Sequence, residues 1–351
     1  MTTKRYESKE PELDVLYQDM SDHDLQPLWE MRGLLTPEPN PRTVAHRWSA
    51  KQMRALGERA GQLVPIDRGG DRRVLACANP GLGGAPYATS TLWAAVQFLG
   101  PREAAPAHRH SPSALRFVLE GDSVWTMING DPLHMAAGDL ILTPAWTFHE
   151  HHNPSDKGML WVDVLDLPTV EFLEAVFFEE GPSEEVIPKM DAQSASEKLY
   201  GSPGLVPAGQ AAQPSGNYSP LLAYHWADTD AALRHQADVS GETDVTVRYT
   251  DPVRGGDVMP TMRCEMRRVA AGTKTSAHRQ SGTRITTVLH GSGRITVGNN
   301  EFDVEHGDII AIPSWAWTTV HANPGVEDLD LFTTSDAPVL SALKLFREEW
   351  S

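Results

Sequence analysis

Hydrophobic and polar positions change their rhythm along this chain. Near the start, Leu25–Leu35 and Ser49–Glu58 carry apolar residues at helical spacing, so residues 1–72 read as a mostly helical arm. From Arg73 to Leu167 short apolar runs are broken by Gly, Pro and Asn, which predicts strands joined by turns. Val170-Glu-Phe-Leu-Glu-Ala-Val-Phe-Phe178 reads as a helix within 169–180, and Gly201–Pro220 is an uncharged linker rich in Gly, Pro, Ser and Ala. Strand rhythm returns from about Val245 to Ser335, and Pro338–Trp350 reads as a closing helix. The expected organisation is an arm 1–72, a β-barrel 73–168, a helical and linker segment 169–244, a second barrel 245–337 and a helix 338–351.

The two β units are copies of one another. Gly138-Asp139-Leu-Ile-Leu-Thr-Pro144-Ala-Trp146 recurs 169 residues later as Gly307-Asp308-Ile-Ile-Ala-Ile-Pro313-Ser-Trp315. His108-Arg-His-Ser111 recurs 170 residues later as His278-Arg-Gln-Ser281, and both copies reach a glycine, Gly121 or Gly291, ten residues after the serine. A single deletion in a turn accounts for the one-residue difference.

Chemistry separates the copies. Residues i and i+2 of a strand share a face, so His108 and His110 can grip one ion while Arg109 turns away. His149, behind the Gly138-Asp139 turn, supplies a third imidazole from a neighbouring strand. In the second copy Gln280 stands for His110 and Thr318 or Thr319 for His149, so His278 alone does not make a site and that unit reads as structural. Of the 14 histidines, His134, His235, His306 and His321 lack partners at ligand spacing and read as ordinary polar residues. Ala114 stands where a glutamate ligand would follow the His-x-His pair in many related metal sites, which leaves three neutral ligands. Imidazole suits Zn, Cu, Fe and Ni alike, so the ligands do not name the metal. Arg116 shares parity with His108 and His110; it reads as an anion clamp, or else as one half of an internal ion pair. His151 shares the face of His149 while His152 faces away, and Asp163 is a candidate for orienting His151.

The net charge of −17 argues against nucleic acid and anionic membranes as partners. Cys77 and Cys264 fit no metal or redox pattern, the N-terminus lacks a signal-peptide core, and no apolar run of membrane-spanning length occurs. The expectation is a cytoplasmic protein.

The run Gly100–Gly121, the segment Gly138–His149 and Asp163-Val-Leu-Asp-Leu-Pro168 resemble the bicupin gentisate 1,2-dioxygenase and salicylate 1,2-dioxygenase family. Similarity extends to Gly69–Arg73, Asn79–Gly84 and Gly256–Glu265, so it covers nearly the whole chain. The resemblance implies an all-β fold of two jelly-roll barrels with flanking helices, Fe(II) held by His108, His110 and His149, and O2 as co-substrate. It further implies a homotetramer. Arg72 and Arg116 match arginines that contact the substrate carboxylate, and Val74, Trp93, Ala95 and Gln97 match pocket positions. His151 matches a residue that contacts substrate or handles protons, with Asp163 beside it. The implied reaction inserts both atoms of O2 between C1 and C2 of a 2-hydroxybenzoate, either gentisate or a 5-substituted salicylate such as 5-nitrosalicylate; salicylate and 1-hydroxy-2-naphthoate are alternatives. Two other readings of the residues are a non-catalytic anion-binding cupin and a Zn or Mn isomerase, the latter weakened by Ala114.

Overall fold

The structure, a computed structural model, describes residues 6–64, 73–122, 124–181, 192–208, 216–325 and 327–351. The chain divides into two compact units, Met1–Asn40 and Pro41–Ser351. In the first, the helix Pro11–Asp22 starts with Pro at its first turn and acidic Glu12 and Asp14 near its N-terminus, both favourable there. The Tyr17 hydroxyl donates to Glu30 and accepts from Trp29 Nε1.

In the larger unit, each sequence repeat builds two antiparallel sheets. The first repeat has a six-stranded sheet ordered Ala223–Tyr224, Leu140–Thr143, Ala114–Glu120, Met159–Leu165, Trp93–Leu99, Val74–Ala76. Its five-stranded sheet runs Phe178–Glu180, Ala104–His110, His149–His152, Val124–Ile128, Asp131–Met135. The second repeat has a six-stranded sheet ordered His46–Trp48, Ile309–Ile312, Arg284–His290, Leu329–Ser335, Arg263–Val269, Asp244–Arg248. Its five-stranded sheet runs Asn300–Glu305, Ser292–Val297, Thr318–Ala322, His278–Gln280, Glu348–Trp350.

The two six-stranded sheets pack back to back. Leu115, Phe117 and Leu119 of the first meet Cys264, Met266, Ile285 and Phe332 of the second in one cluster, with the Phe117 and Phe332 rings stacked at 4.0 Å. The alternate residues of the same strands point the other way. Val118, Ile141 and Trp161 pack on Val124, Ile128 and Leu133 inside the first repeat, and Val288, Ile310 and Leu331 pack on Ile295, Val304 and Val320 inside the second. Burial on both faces explains why these strands read as nearly continuous apolar runs.

The repeats also exchange their leading segments. The strand His46–Trp48 precedes the first repeat but pairs with Ile309–Ile312 of the second, whereas Ala223–Tyr224 precedes the second and pairs with Ile141 and Leu140 of the first. The helices that follow, Ala50–Leu63 and Trp226–Ser240, start on the repeated Gly-Asp turns. Asp308 accepts from the Ala50 N–H at 2.8 Å and Asp139 from the Trp226 N–H at 2.9 Å, satisfying helix N-terminal donors. A Cβ on Gly138 would lie 2.7 Å from the Trp226 Cβ, and one on Gly307 would lie 3.0 Å from the Ala50 Cβ; both glycines have positive φ. The repeated Gly-Asp is thus a docking point for a helix as well as a turn.

Several expectations are corrected. Leu25–Leu35 holds only the short 3-10 turn Leu28–Glu30, next to Pro27, and the helix of this region lies upstream at Pro11–Asp22. The arm also contributes the strand His46–Trp48. The helix expected over 169–180 covers only Leu167–Phe172, and Phe178–Glu180 instead forms a strand that covers the edge of His108–His110. Likewise 338–350 gives a helix only over Ala337–Ala342 and then the strand Glu348–Trp350 against His278–Gln280. In both places a left-handed residue, Glu174 or Lys344, turns the chain back to a sheet edge whose backbone groups need partners. Part of the 201–220 linker lies outside the described residues.

His225 joins three of these segments: its Nδ1 contacts Asp139 at 3.1 Å and its Nε2 contacts Glu197 at 2.6 Å. Hydrogen bonds to Asp139 and Glu197, against the opposing effect of burial, raise its pKa from 6.5 to about 10. A pKa raised on folding contributes stability in full below pH 6.5, and the contribution fades as pH climbs toward 10. We therefore expect a His225→Gln variant to melt below the parent protein by its largest margin near pH 6, with the gap narrowing by pH 9. Thermal melts across that range are the check.

Candidate active site

His108 and His110 lie on Ala104–His110, and His149 lies opposite His108 on the neighbouring strand. Strand parity and register together bring their ligand nitrogens within 4.8 Å of one another. Each Nδ1 faces a backbone carbonyl two residues away: Pro106 for His108 at 3.0 Å, Pro112 for His110 at 2.7 Å and Thr147 for His149 at 3.0 Å. A carbonyl only accepts, so each Nδ1 carries the proton and each Nε2 carries the lone pair a metal needs. Burial holds His110 down at about 4 and His149 well below the ordinary range, so both rings are neutral at pH 7. Neutral, pre-oriented imidazoles fit a divalent transition metal.

The outer side of the same strand is held independently. Arg109 pairs with Glu179 and lies over the Trp146 and Phe148 rings, while Phe178 stacks on His108 at 5.6 Å. The strand that sequence reading missed thus buttresses a ligand.

The histidines open on a cavity of about 190 Å³. Val74, Trp93, Gln97, Arg116, His151 and Asp163 line it, joined by Ala105, Ala114 and Leu165. Ala95, between Trp93 and Gln97 on the same strand, is fully buried and is not among the residues that line the cavity. Arg72 lies outside the described residues. His152 turns away and stacks on Trp125 at 3.9 Å. His134, His235, His306 and His321 are exposed.

The expected link between Asp163 and His151 is not made. Asp163 accepts from Arg116 Nε at 2.9 Å through one oxygen and from Trp161 Nε1 at 2.9 Å through the other. His151 Nδ1 instead meets Thr126 Oγ1 at 2.5 Å and Arg116 Nη1 at 2.9 Å. Register explains this, because Asp163 sits opposite Arg116 in the six-stranded sheet whereas His151 sits opposite Thr126 in the other. Arg116 therefore makes the internal ion pair through Nε while its guanidinium stands on the cavity wall. Its Nε and Nη1 are taken by protein partners, Asp163 for the first and Thr126 and His151 for the second. Burial pushes the Asp163 carboxyl up, opposed by the Arg116 charge and the two hydrogen bonds it accepts. Burial also holds His151 well below its ordinary range, with Arg116 adding to the effect. Thr126 and Trp161 were missed by sequence reading; strand register reveals Thr126, whereas Trp161 lies two residues from Asp163 on the same strand, where parity alone puts both on one face.

Among the described residues, the second repeat lacks this site. Arg284 takes the position of Ala114, and its guanidinium lies 3.4 Å from His278 Nδ1 and 3.2 Å from Thr318 Oγ1. Arg263, Glu265 and Arg267 replace Trp93, Ala95 and Gln97. A fixed organic cation stands beside the lone surviving histidine, and an apolar wall has become charged.

Paired double-sheet repeats with, among the described residues, one three-histidine group able to hold a metal ion mark a two-cupin protein, and the family comparisons agree. The Cupin domain family matches residues 95–165 and 266–335. A gentisate 1,2-dioxygenase of Streptomyces sp is 46% identical over 344 residues, covering 95% of this chain and 94% of that one. A 5-aminosalicylate 1,2-dioxygenase of Comamonas sp is 34% identical over 352 residues, covering 98% and 91%. The crystal structure of salicylate 1,2-dioxygenase from Pseudoaminobacter salicylatoxidans with gentisate superposes with a TM-score of 0.93 at 39% identity, covering 100% of this chain and 97% of that one. The chain belongs to the gentisate and salicylate 1,2-dioxygenase family, whose members are ring-cleaving oxidoreductases.

Removing Asp163 leaves the Arg116 charge buried without its counter-ion. Asp163→Leu should therefore lower unfolding free energy by about 3–5 kcal/mol in urea denaturation. A loss below about 1 kcal/mol would show that the pair is dispensable.

Proposed function

We propose that this protein is an Fe(II)-dependent dioxygenase that cleaves the C1–C2 bond of a single-ring 2-hydroxybenzoate. The observation that carries this reading is the set of three imidazoles, His110 and His149 held neutral by burial, whose Nε2 atoms converge beside Arg116 on a cavity where, among the described residues, no carboxylate joins the group. The cavity compares with the roughly 150 Å³ space known to admit benzene, which favours one ring over 1-hydroxy-2-naphthoate. Gentisate and 5-substituted salicylates, 5-nitrosalicylate among them, are the preferred substrates, and we infer a pocket that accepts both.

His108, His110 and His149 would hold the metal, which supplies a redox path between the aromatic ring and O2 together with charge for the ionised substrate. Arg116 Nη2 donates to the substrate carboxylate, and Arg72 is the candidate second donor. Val74, Trp93, Ala114 and Leu165 pack the ring and exclude water from the reacting carbons. His151 faces the oxygen atoms of substrate or O2 with one ring edge. Both oxygen atoms enter the product, an oxo-dienoic dicarboxylate, so no external reductant is needed. A non-catalytic anion binder would not require all three metal-facing imidazoles.

Among the described residues no helix is long and apolar enough to cross a membrane. A cytoplasmic homotetramer is the assembly we favour, supported by free, buried Cys77 and Cys264 and by exposed Phe172, Phe177, Leu343 and Trp350.

Anaerobic Fe(II) loading should give one metal per chain. On aeration, one O2 per ring should be consumed with a new dienoate absorbance for gentisate or a 5-substituted salicylate, assayed beside salicylate and 1-hydroxy-2-naphthoate. Iron bound without O2 uptake on any of these would overturn the reading, and activity on gentisate alone would overturn the broader pocket. His110→Ala should lose both iron and turnover. Arg116→Met should keep iron while raising KM by about 10- to 100-fold, the loss of one contact to a charged group.

A further inference from the structure

Thr126 is fully buried on the strand Val124–Ile128, directly opposite His151. Its Oγ1 lies 2.5 Å from His151 Nδ1 and 3.0 Å from Arg116 Nη1, and Arg116 Nη1 lies 2.9 Å from His151 Nδ1. The three atoms form a closed triangle. A guanidinium nitrogen only donates, so Thr126 Oγ1 and His151 Nδ1 both accept from Arg116. The threonine's own hydrogen then has His151 Nδ1 as its acceptor. Two donors on one ring nitrogen fix it as the lone-pair nitrogen, and the single ring proton belongs on Nε2, the other polar atom of a ring that lines the cavity.

The surrounding residues keep this arrangement in place. Arg116 is tied through Nε to Asp163, which Trp161 Nε1 holds in turn. The fold itself does not need the triangle. In the second repeat Ile295 faces Val320 in the equivalent register, and Thr286 and Thr333 share a 3.0 Å hydrogen bond where Arg116 and Asp163 pair. The same architecture packs that layer with apolar and hydroxyl groups and has no three-histidine centre.

We propose that Thr126 is a positioning residue that, with Arg116, holds His151 as its Nε2–H tautomer. His151 is thereby a fixed hydrogen-bond donor to negative oxygen of substrate or O2. This inference rests on the dioxygenase reading for its consequence, but the tautomer has its own test.

Neutron diffraction from deuterium-exchanged, metal-loaded protein reads the hydrogens directly. Deuterium is expected on His151 Nε2 and absent from Nδ1, with the Thr126 hydroxyl deuterium directed at Nδ1; deuterium on Nδ1 would overturn the proposal whatever the activity. In kinetics, Thr126→Val should lower kcat about 10-fold or more with KM changed less than about twofold, and Thr126→Ser should restore kcat. His151→Gln keeps an N–H donor that cannot shuttle protons and should retain kcat within about 10-fold. His151→Leu should lose about 100-fold or more, as when a donor to developing charge is removed. His151→Gln as inactive as His151→Leu, or Thr126→Val with parental kcat, would sink the idea. A parent protein inactive on every hydroxybenzoate would instead overturn the dioxygenase reading, and the neutron map would still decide the tautomer.

Discussion

The constraint on which the structure depends is that its two six-stranded sheets are buried on both faces. Leu115, Phe117 and Leu119 are committed to the opposite repeat, so only the alternate positions Ala114, Arg116 and Val118 face the interior. A one-residue slip would turn Arg116 into the apolar seam and Phe117 into the cavity. The back-to-back packing that joins the repeats therefore also fixes which side chains reach the metal-facing histidines.

Reciprocal exchange reinforces this register. Each repeat receives a strand and a helix start from the segment that leads into the other, anchored on Asp139 and Asp308. Thr261 bonds Asp166 at 2.5 Å and Thr91 bonds Asp336 at 2.7 Å, two further contacts crossing between repeats in mirrored positions. The second repeat has no metal-site chemistry of its own, yet half of the seam behind the first cavity belongs to it. Its loss of ligands with retention of core residues follows from that role: Phe332 and Met266 pack against the first repeat whatever Arg284 does.

Polar groups in the first cavity form one connected set. Trp161 holds Asp163, Asp163 holds Arg116, and Arg116 and Thr126 together hold His151. Each buried donor spent on a neighbour removes a degree of freedom, and within this set Arg116 Nη2 and the far edge of His151 remain, beside the Gln97 side chain that also lines the cavity. A buried charge tolerated in this way costs stability in isolation and is compensated by its pairing. The result is a cavity wall with few polar atoms available to a ligand.

The sequence by itself determined the β architecture, the duplication, the three metal-facing histidines and the parity of Arg116 and His151, because strand alternation and motif spacing are local properties of the chain. It also exposed the decay of the second site at Gln280 and at Thr318 or Thr319, the register then choosing Thr318. Its helix assignments failed at 178–180 and 348–350, where short segments of two glutamates and one aromatic residue were drawn into strands by the open edges of His108–His110 and His278–Gln280. Only the tertiary structure decided which strand lies opposite which, and hence that Asp163 meets Arg116 while Thr126 meets His151. Pairing across sheets joins residues far apart in sequence, and no periodicity within one strand records its partner's register.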